Sequence, residues 1–190
     1  MNSHSPKTPA PQTSVITRAA TNGDTTAIAD LQARVFGPGR FARTAYRVRE
    51  GTGAYSRFCH VADFNGRLIA SLRMTEIAIG GRQGAAMLGP IAVDPDFRGR
   101  GHGRQLIREA LDDAKAAGLS IVILVGDLPY YQHSGFKPVP LGSITFPGPV
   151  NPARILAVEL AEGAAANYRG LVTPASPPSA AGGGKGCCNG

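Results

Sequence analysis

Three stretches lie in succession in the middle of the chain, with only Asp96-Phe97 between the first two: Leu88-Gly-Pro-Ile-Ala-Val-Asp-Pro95, then Arg98-Gly99-Arg100-Gly101-His102-Gly103, then Arg104-Gln-Leu-Ile-Arg-Glu-Ala-Leu-Asp-Asp-Ala-Lys-Ala-Ala117. The first reads as a strand, the second as a tight glycine-rich turn, the third as a helix with apolar residues on one side. Glycines at 99, 101 and 103 let backbone approach an anion closely. The helix that starts there directs its unpaired N–H groups and positive dipole end at the turn. The arrangement reads as a phosphate cradle, the alternative being a flexible glycine turn that only joins strand to helix. Two nucleotide-binding patterns are excluded. A P-loop ends in Gly-Lys-Ser/Thr, which is absent, and a dinucleotide fingerprint needs Gly-x-Gly-x-x-Gly with an acidic residue closing the next strand. Here the spacing is Gly99-x-Gly101-x-Gly103, and the next strand, Ser120-Ile-Val-Ile-Leu-Val-Gly126, ends in Gly126-Asp127.

Downstream, Asp127-Leu-Pro-Tyr-Tyr-Gln-His-Ser-Gly-Phe136 places Tyr131 one helical turn before a glycine suited to a C-cap. With both motifs in this order, residues 14–162 resemble the Gcn5-related N-acetyltransferase (GNAT) superfamily, whose Arg/Gln-x-x-Gly-x-Gly/Ala pyrophosphate loop corresponds to Arg98–Gly103. The lead-in Leu88–Pro95, the Tyr130-Tyr131 pair before Gly135-Phe136, and Ala157-Val158-Glu159-Leu160 look more closely like its YhbS-like bacterial subgroup. The resemblance implies an α/β fold with a mixed sheet flanked by helices, in which two parallel central strands splay apart. It also implies acetyl-CoA as the acetyl donor. The pantetheine arm would run in the gap against Ile91, Ala92 and Val93, and the pyrophosphate would lie within Arg98, Gly99, Arg100, Gly101, His102, Gly103 and Arg104. Prolines at 90 and 95 suit a strand that has lost a neighbour.

Acetyl transfer from a thioester to an amine needs a neutral, aimed amine, a donor for the developing oxyanion and an acid for the departing thiolate. The resemblance assigns the acid to Tyr131. An ordinary phenol, with a pKa near ~10, keeps its proton at neutral pH until a thiolate forms. Packing on a short helix is the alternative for Tyr131 and the expectation for Tyr130. The general base is left open among Glu76, Asp127 and His133, each with a structural role to set against it: a solvated sheet face, a helix N-cap and an exposed turn. No His/Cys/Asp/Glu cluster has metal-ligand spacing.

At 190 residues with 43% hydrophobic residues, the chain suits one globular domain. The expected organisation is a disordered segment over 1–13, the catalytic domain over 14–162, and a low-complexity, disordered tail over 163–190. The N-terminus has no apolar region of a secretory signal and the longest apolar run is too short to span a membrane, so a cytoplasmic location is expected. Cys59 and the adjacent Cys187 and Cys188 make no disulfide framework.

Sixteen arginines against four lysines underlie a formal charge of +7. Such a balance favours anionic partners, but no nucleic-acid motif and no tryptophan accompany it. Within the fold, Val15–Ala19 is expected as a strand, a helix capped by Thr25/Thr26 carries Ile28, Leu31 and Val35, and a second helix runs from Phe41 to Glu50. The strands Phe58–Phe64 and Leu68–Ile79 read as a hairpin through Asn65-Gly66. Arg40, Arg43 and Arg47 share one face of the second helix, either as a solvated stripe or as the border of a cleft for an acceptor bearing carboxylate or phosphate. Three functions remain open. The chain is read as an acetyl-CoA-dependent N-acetyltransferase for a primary amine of a small molecule or protein, working in a ternary complex as a monomer or homodimer. The others are a toxin-type acetyltransferase acting on charged tRNA, and a non-catalytic acyl-CoA-binding module.

Overall fold

The computed structural model describes residues 14–37, 48 and 56–175. In chain order these form β1 (Val15–Ala19), α1 (Thr25–Phe36), β2 (His60–Phe64), β3 (Arg67–Ile79), β4 (Arg82–Val93), α2 (His102–Ala116), β5 (Ile121–Val125), α3 (Leu128–Tyr131), β6 (Lys137–Pro138), β7 (Ile144–Thr145), β8 (Ile155–Glu159), α4 (Ala164–Asn167) and β9 (Gly170–Pro174). The strands make one mixed sheet in the order β1-β2-β3-β4-β5-β8-β6, with β9 set against β3 and β7. Along that path every pair is antiparallel except β4–β5.

The expected hairpin forms. Asn65 and Gly66 both adopt positive φ (51° and 80°), the turn whose twist matches that of the strands it joins. Helix α1 starts differently from expectation. Thr25 and Thr26 lie inside the helix, and a 3-10 turn over Asn22–Asp24 precedes it. The Asp24 carboxylate accepts from the Thr21 amide at 2.8 Å and from Arg18 at 2.7 Å, closing that entry.

Helix α2 carries Gly103, Leu106, Ile107, Ala110 and Ala114 at helical spacing, and all are buried. They pack on the sheet face that presents Ala62, Leu72, Met74, Ala86 and Leu88. The helix ends where Gly118, at φ 81°, donates to Lys115 O and Leu119 donates to Ala114 O, each at 3.0 Å. That pair of bonds satisfies carbonyls the helix would otherwise leave open. On the opposite face, α1 buries Ile28 and Leu31 against Val61, Leu68 and Ala92. Of the helix expected over Phe41–Glu50, Val48 alone is described, buried beside Ile77, Ile79 and Met87. Arg40, Arg43 and Arg47 lie outside the described residues, as do Cys187 and Cys188.

Regular structure continues past residue 162, where the domain was expected to end and a disordered tail to begin. Residues 164–174 form α4 and β9, and β9 pairs with the end of β3 through Ile77↔Pro174, Ala78↔Thr173 and Ile79↔Val172. Tyr168 is buried and donates its hydroxyl to Gln83 O at 2.7 Å, with Arg82 over its ring. Ala164, Tyr168 and Val172 are all buried and anchor a segment whose surroundings read as low-complexity. Among the described residues, no helix is long and apolar enough to cross a membrane.

Candidate active site

The site begins with a change of neighbours along β4. Ala85, Ala86 and Met87 pair in parallel with Ile121, Val122 and Ile123. Beyond Met87 the two strands separate: β5 continues beside β8 to Val125, while β4 continues to Val93 with β3 alone on its flank. The register between β3 and β4 shifts here, from Met74↔Leu88 to Leu72↔Ile91, so β4 carries an extra residue across Gly89-Pro90. The free edge of β4 therefore offers backbone donors and acceptors to an extended ligand.

A cleft of about 690 Å³ lies in this gap, lined by Val35, Ile91, Val93, Phe97, the whole run Arg98–Arg104, Tyr130 and Tyr131. Nearly every residue expected to bind a coenzyme thus lies along one cavity. Ala92 is the exception: it is fully buried under α1. Strand alternation turns its side chain to the other face, so its backbone alone remains for a ligand beside β4. The cradle owes its shape to Gly99 and Gly101, at φ 74° and 86°, a region that costs an L side chain roughly 1 kcal/mol or more. Gly101 is the N-cap of α2 and accepts from the Gln105 amide at 3.0 Å.

Aromatic and ionic contacts hold the cradle. Phe97 packs against Phe64 at 5.3 Å between ring centroids and carries the Arg100 guanidinium 5.3 Å from its own. His102 lies 6.3 Å from the same ring, so its ring is engaged in packing and its amide belongs to the helix start. Just before the loop, Asp94 is buried and binds the Asp96 amide at 3.2 Å, Arg67 at 2.6 Å and Arg34 at 3.5 Å. Burial pushes its carboxyl up. The Asp96 amide and the Arg67 and Arg34 charges outweigh that and hold it below the usual carboxylate range.

The two tyrosines exchange expectations in part. Tyr131 lines the cleft, packs edge-on against Tyr130 at 4.8 Å and Phe136 at 5.9 Å, and lies so close to Gly126 that a methyl group there would collide with its ring. Tyr130, expected as a core residue, is 41% exposed. Its hydroxyl reaches the first turn of α2, where a methyl group at Gly103 would come within 2.5 Å of it. Desolvation pushes this phenol up, partly offset by the Arg104 charge, so it stays protonated at neutral pH.

The base candidates separate. Glu76 faces Ala86 at the closed end of the sheet, beside Arg57 at 3.8 Å, away from the cleft. Asp127 precedes α3 but makes no cap bond; it pairs with Arg154 at 3.2 Å in solvent. His133 lines a second hollow of about 410 Å³ with Arg104, Arg108 and Asp112, on the outer side of α2. No group of His, Cys, Asp and Glu among the described residues can hold a metal ion. Val35, Phe97 and Tyr130 are the cleft residues that sequence reasoning did not assign to it. Phe97 immediately precedes the loop motif, and Val35 extends the apolar stripe of α1.

A splayed parallel pair, a glycine cradle at a helix N-terminus and a tyrosine across the gap define an acyl-coenzyme A transferase architecture. Residues 17–139 match the acetyltransferase (GNAT) domain, and the chain belongs to that family. It is 26% identical over 129 residues to the uncharacterized N-acetyltransferase YjhQ of Escherichia coli (strain K12), covering 66% of this chain and 71% of that protein. A 50-residue stretch, 26% of this chain and 30% of its counterpart, is 40% identical to the uncharacterized N-acetyltransferase YhbS of the same strain. Among solved structures, YhbS from Escherichia coli in complex with CoA aligns with a TM-score of 0.71 and 25% identity, over 89% of this chain and 93% of that one. A GNAT family acetyltransferase from Brucella melitensis in complex with acetyl-CoA gives 0.58 and 26%, over 77% and 96%.

Proposed function

We propose that the chain is an acetyl-CoA-dependent N-acetyltransferase acting in the cytoplasm on a primary amine, with both substrates bound together. The observation that carries this reading is the single cleft in which the free edge of β4, the left-handed Gly99 and Gly101, the start of α2 and Tyr131 converge. The residues fit the donor. The α2 amides and the arginines at 98, 100 and 104 complement a pyrophosphate, and side chains at Gly99 and Gly101 would be strained where backbone must approach it. The free backbone of β4, with Ile91 and Val93 beside it, suits an extended pantetheine arm. The complexes of YhbS with CoA and of the Brucella melitensis relative with acetyl-CoA support the same assignment.

In this reading the amine nitrogen attacks the thioester carbonyl, the new C–N bond forms and the C–S bond breaks. Tyr131 gives its hydroxyl proton to the leaving sulfur, and the proton lost by the amine passes to solvent, from which Tyr131 is reprotonated. Oriented substrates supply much of the rate, because they turn an encounter into a local event. Calorimetric titration with acetyl-CoA, with NADH and ATP as controls, tests the first half, and amine-dependent release of free thiol tests the second. Micromolar binding of acetyl-CoA alone, followed by thiol release, is the expected result. Binding without release for any amine would replace the enzyme by an acyl-CoA-binding module.

A further inference from the structure

The glycines of the cradle are not alike. Gly99 and Gly101 sit at positive φ, whereas Gly103 lies within α2 at ordinary helical backbone, where a glycine is disfavoured relative to alanine. Conformation does not call for a glycine at 103; space does. A methyl group there would come within 2.5 Å of the Tyr130 hydroxyl, but only to 3.4 Å from Val93 Cγ2 and 3.7 Å from Ile91 Cγ2. The two aliphatic approaches are ordinary van der Waals contacts, so the phenol alone excludes a side chain.

That point also locates the hydroxyl. Ile91 and Val93 pack with the cluster beneath α2, so Tyr130 reaches from α3 across the gap to the first turn of α2, on the side of β4 that α2 covers. Pro129 at the start of α3 and an amide bond to Asp127 O at 3.0 Å fix its backbone, and Tyr131 meets its ring edge-on at 4.8 Å. Among the described residues the Tyr130 hydroxyl has no hydrogen-bond partner. The residue lines the cleft and is 41% exposed, and the Arg104 charge acts on its phenol. A protonated hydroxyl without a partner therefore stands between the side chains expected along the arm and the helix turn expected at the pyrophosphate.

We propose that Tyr130 positions the donor: its hydroxyl gives a hydrogen bond to a phosphoryl oxygen of acetyl-CoA where the arm leaves the pyrophosphate, and residue 103 is a glycine to admit that hydroxyl. This rests on the transferase reading above. A hydroxyl bonded to a charged oxygen makes the stronger kind of hydrogen bond. The two tyrosines then divide the work, Tyr131 at the sulfur and Tyr130 at the other end of the arm.

The test is a cycle of wild type, Tyr130→Phe, Gly103→Ala and the double variant. Each is titrated calorimetrically with acetyl-CoA, which needs no acceptor, and assayed for thiol release with an amine that the wild type acetylates. Tyr130→Phe should weaken acetyl-CoA about tenfold to a hundredfold and raise its KM to match, with kcat kept within about twofold. Gly103→Ala should weaken binding about tenfold in the wild-type background and less than about threefold further in Tyr130→Phe, whose ring lacks the colliding oxygen. A loss below about threefold in Tyr130→Phe overturns the hydrogen bond, and equal losses from Gly103→Ala in both backgrounds overturn the reason for the glycine. A fall in kcat at unchanged KM puts the hydroxyl at the reacting atoms and overturns the positioning role. Should Gly103→Ala fail to fold, Tyr130→Phe still decides. These outcomes leave the transferase standing, whereas a wild type that does not bind acetyl-CoA overturns the transferase reading and this inference together.

Discussion

Within β4, Ala85–Met87 lie between β3 and β5 and are at most 1% exposed, whereas Ile91–Val93 keep β3 and lose β5. The closed half anchors the sheet: its side chains fill clusters on both faces, with Ala86 under α2 and Met87 on the other side. The open half leaves main-chain groups without a strand partner, an arrangement that an isolated sheet edge would have to blunt with charge, proline or a bulge. Here Pro90 and the register shift at Gly89-Pro90 do so, and the gap is the proposed ligand site. Stability and binding are thereby assigned to successive stretches of the same strand, and substitutions should separate them.

The largest expected effect falls on the open half. Gly101→Asp adds strain at φ 86° and a carboxylate at the anion cradle, weakening acetyl-CoA roughly a thousandfold by calorimetry while far-UV circular dichroism stays unchanged. Unaltered affinity would remove the cradle from the site. Met87→Ala, in the closed half, should cost about 3 kcal/mol in urea denaturation and leave acetyl-CoA affinity intact, with Ile91→Ala doing the reverse. If both variants lose stability equally, the two halves of β4 are not distinct. Tyr131→Phe should lower kcat about a hundredfold with little change in the KM for acetyl-CoA. An unchanged kcat would leave this tyrosine a packing residue and turn attention to the Tyr130 hydroxyl at Gly103.

The smallest effect concerns the clasp that joins β4 to the loop. Asp94→Asn should cost about 2 kcal/mol at neutral pH. Because the folded carboxyl titrates below an unfolded aspartate near ~3.9, its contribution is complete above that pH and fades as pH falls through the folded value. The gap in thermal midpoint between wild type and Asp94→Asn should therefore narrow below about pH 4. A gap independent of pH would mean that the carboxylate's charge is immaterial.

Most of the proposed coenzyme side was legible as geometry because its shape is carried by local backbone requirements. Alternating glycines before an amphipathic helix, and a tyrosine one turn before Gly135, are readable without tertiary information. What was hidden depends on long-range packing. The burial of Ala92 under α1 follows from strand alternation, yet which face α1 covers is decided by β2 and β3. The strand β9 is short and flanked by proline-rich sequence, and its stability comes from β3 and from Tyr168 bonding Gln83 across the fold. Tyr130 and Tyr131 differ by the helical rotation between neighbours, which composition does not resolve. Glu76 read as a base candidate until the register placed it at the closed end of the sheet.

The pairing of β9 with Ile77–Ile79 also bears on how the protein is made. Ribosomal synthesis delivers β3 long before β9, so that end of β3 waits without its final neighbour while the residues of the proposed coenzyme cleft are already available to fold. An acetyl donor present during synthesis would meet a nearly complete cradle on a sheet whose last strand is still inside the ribosome.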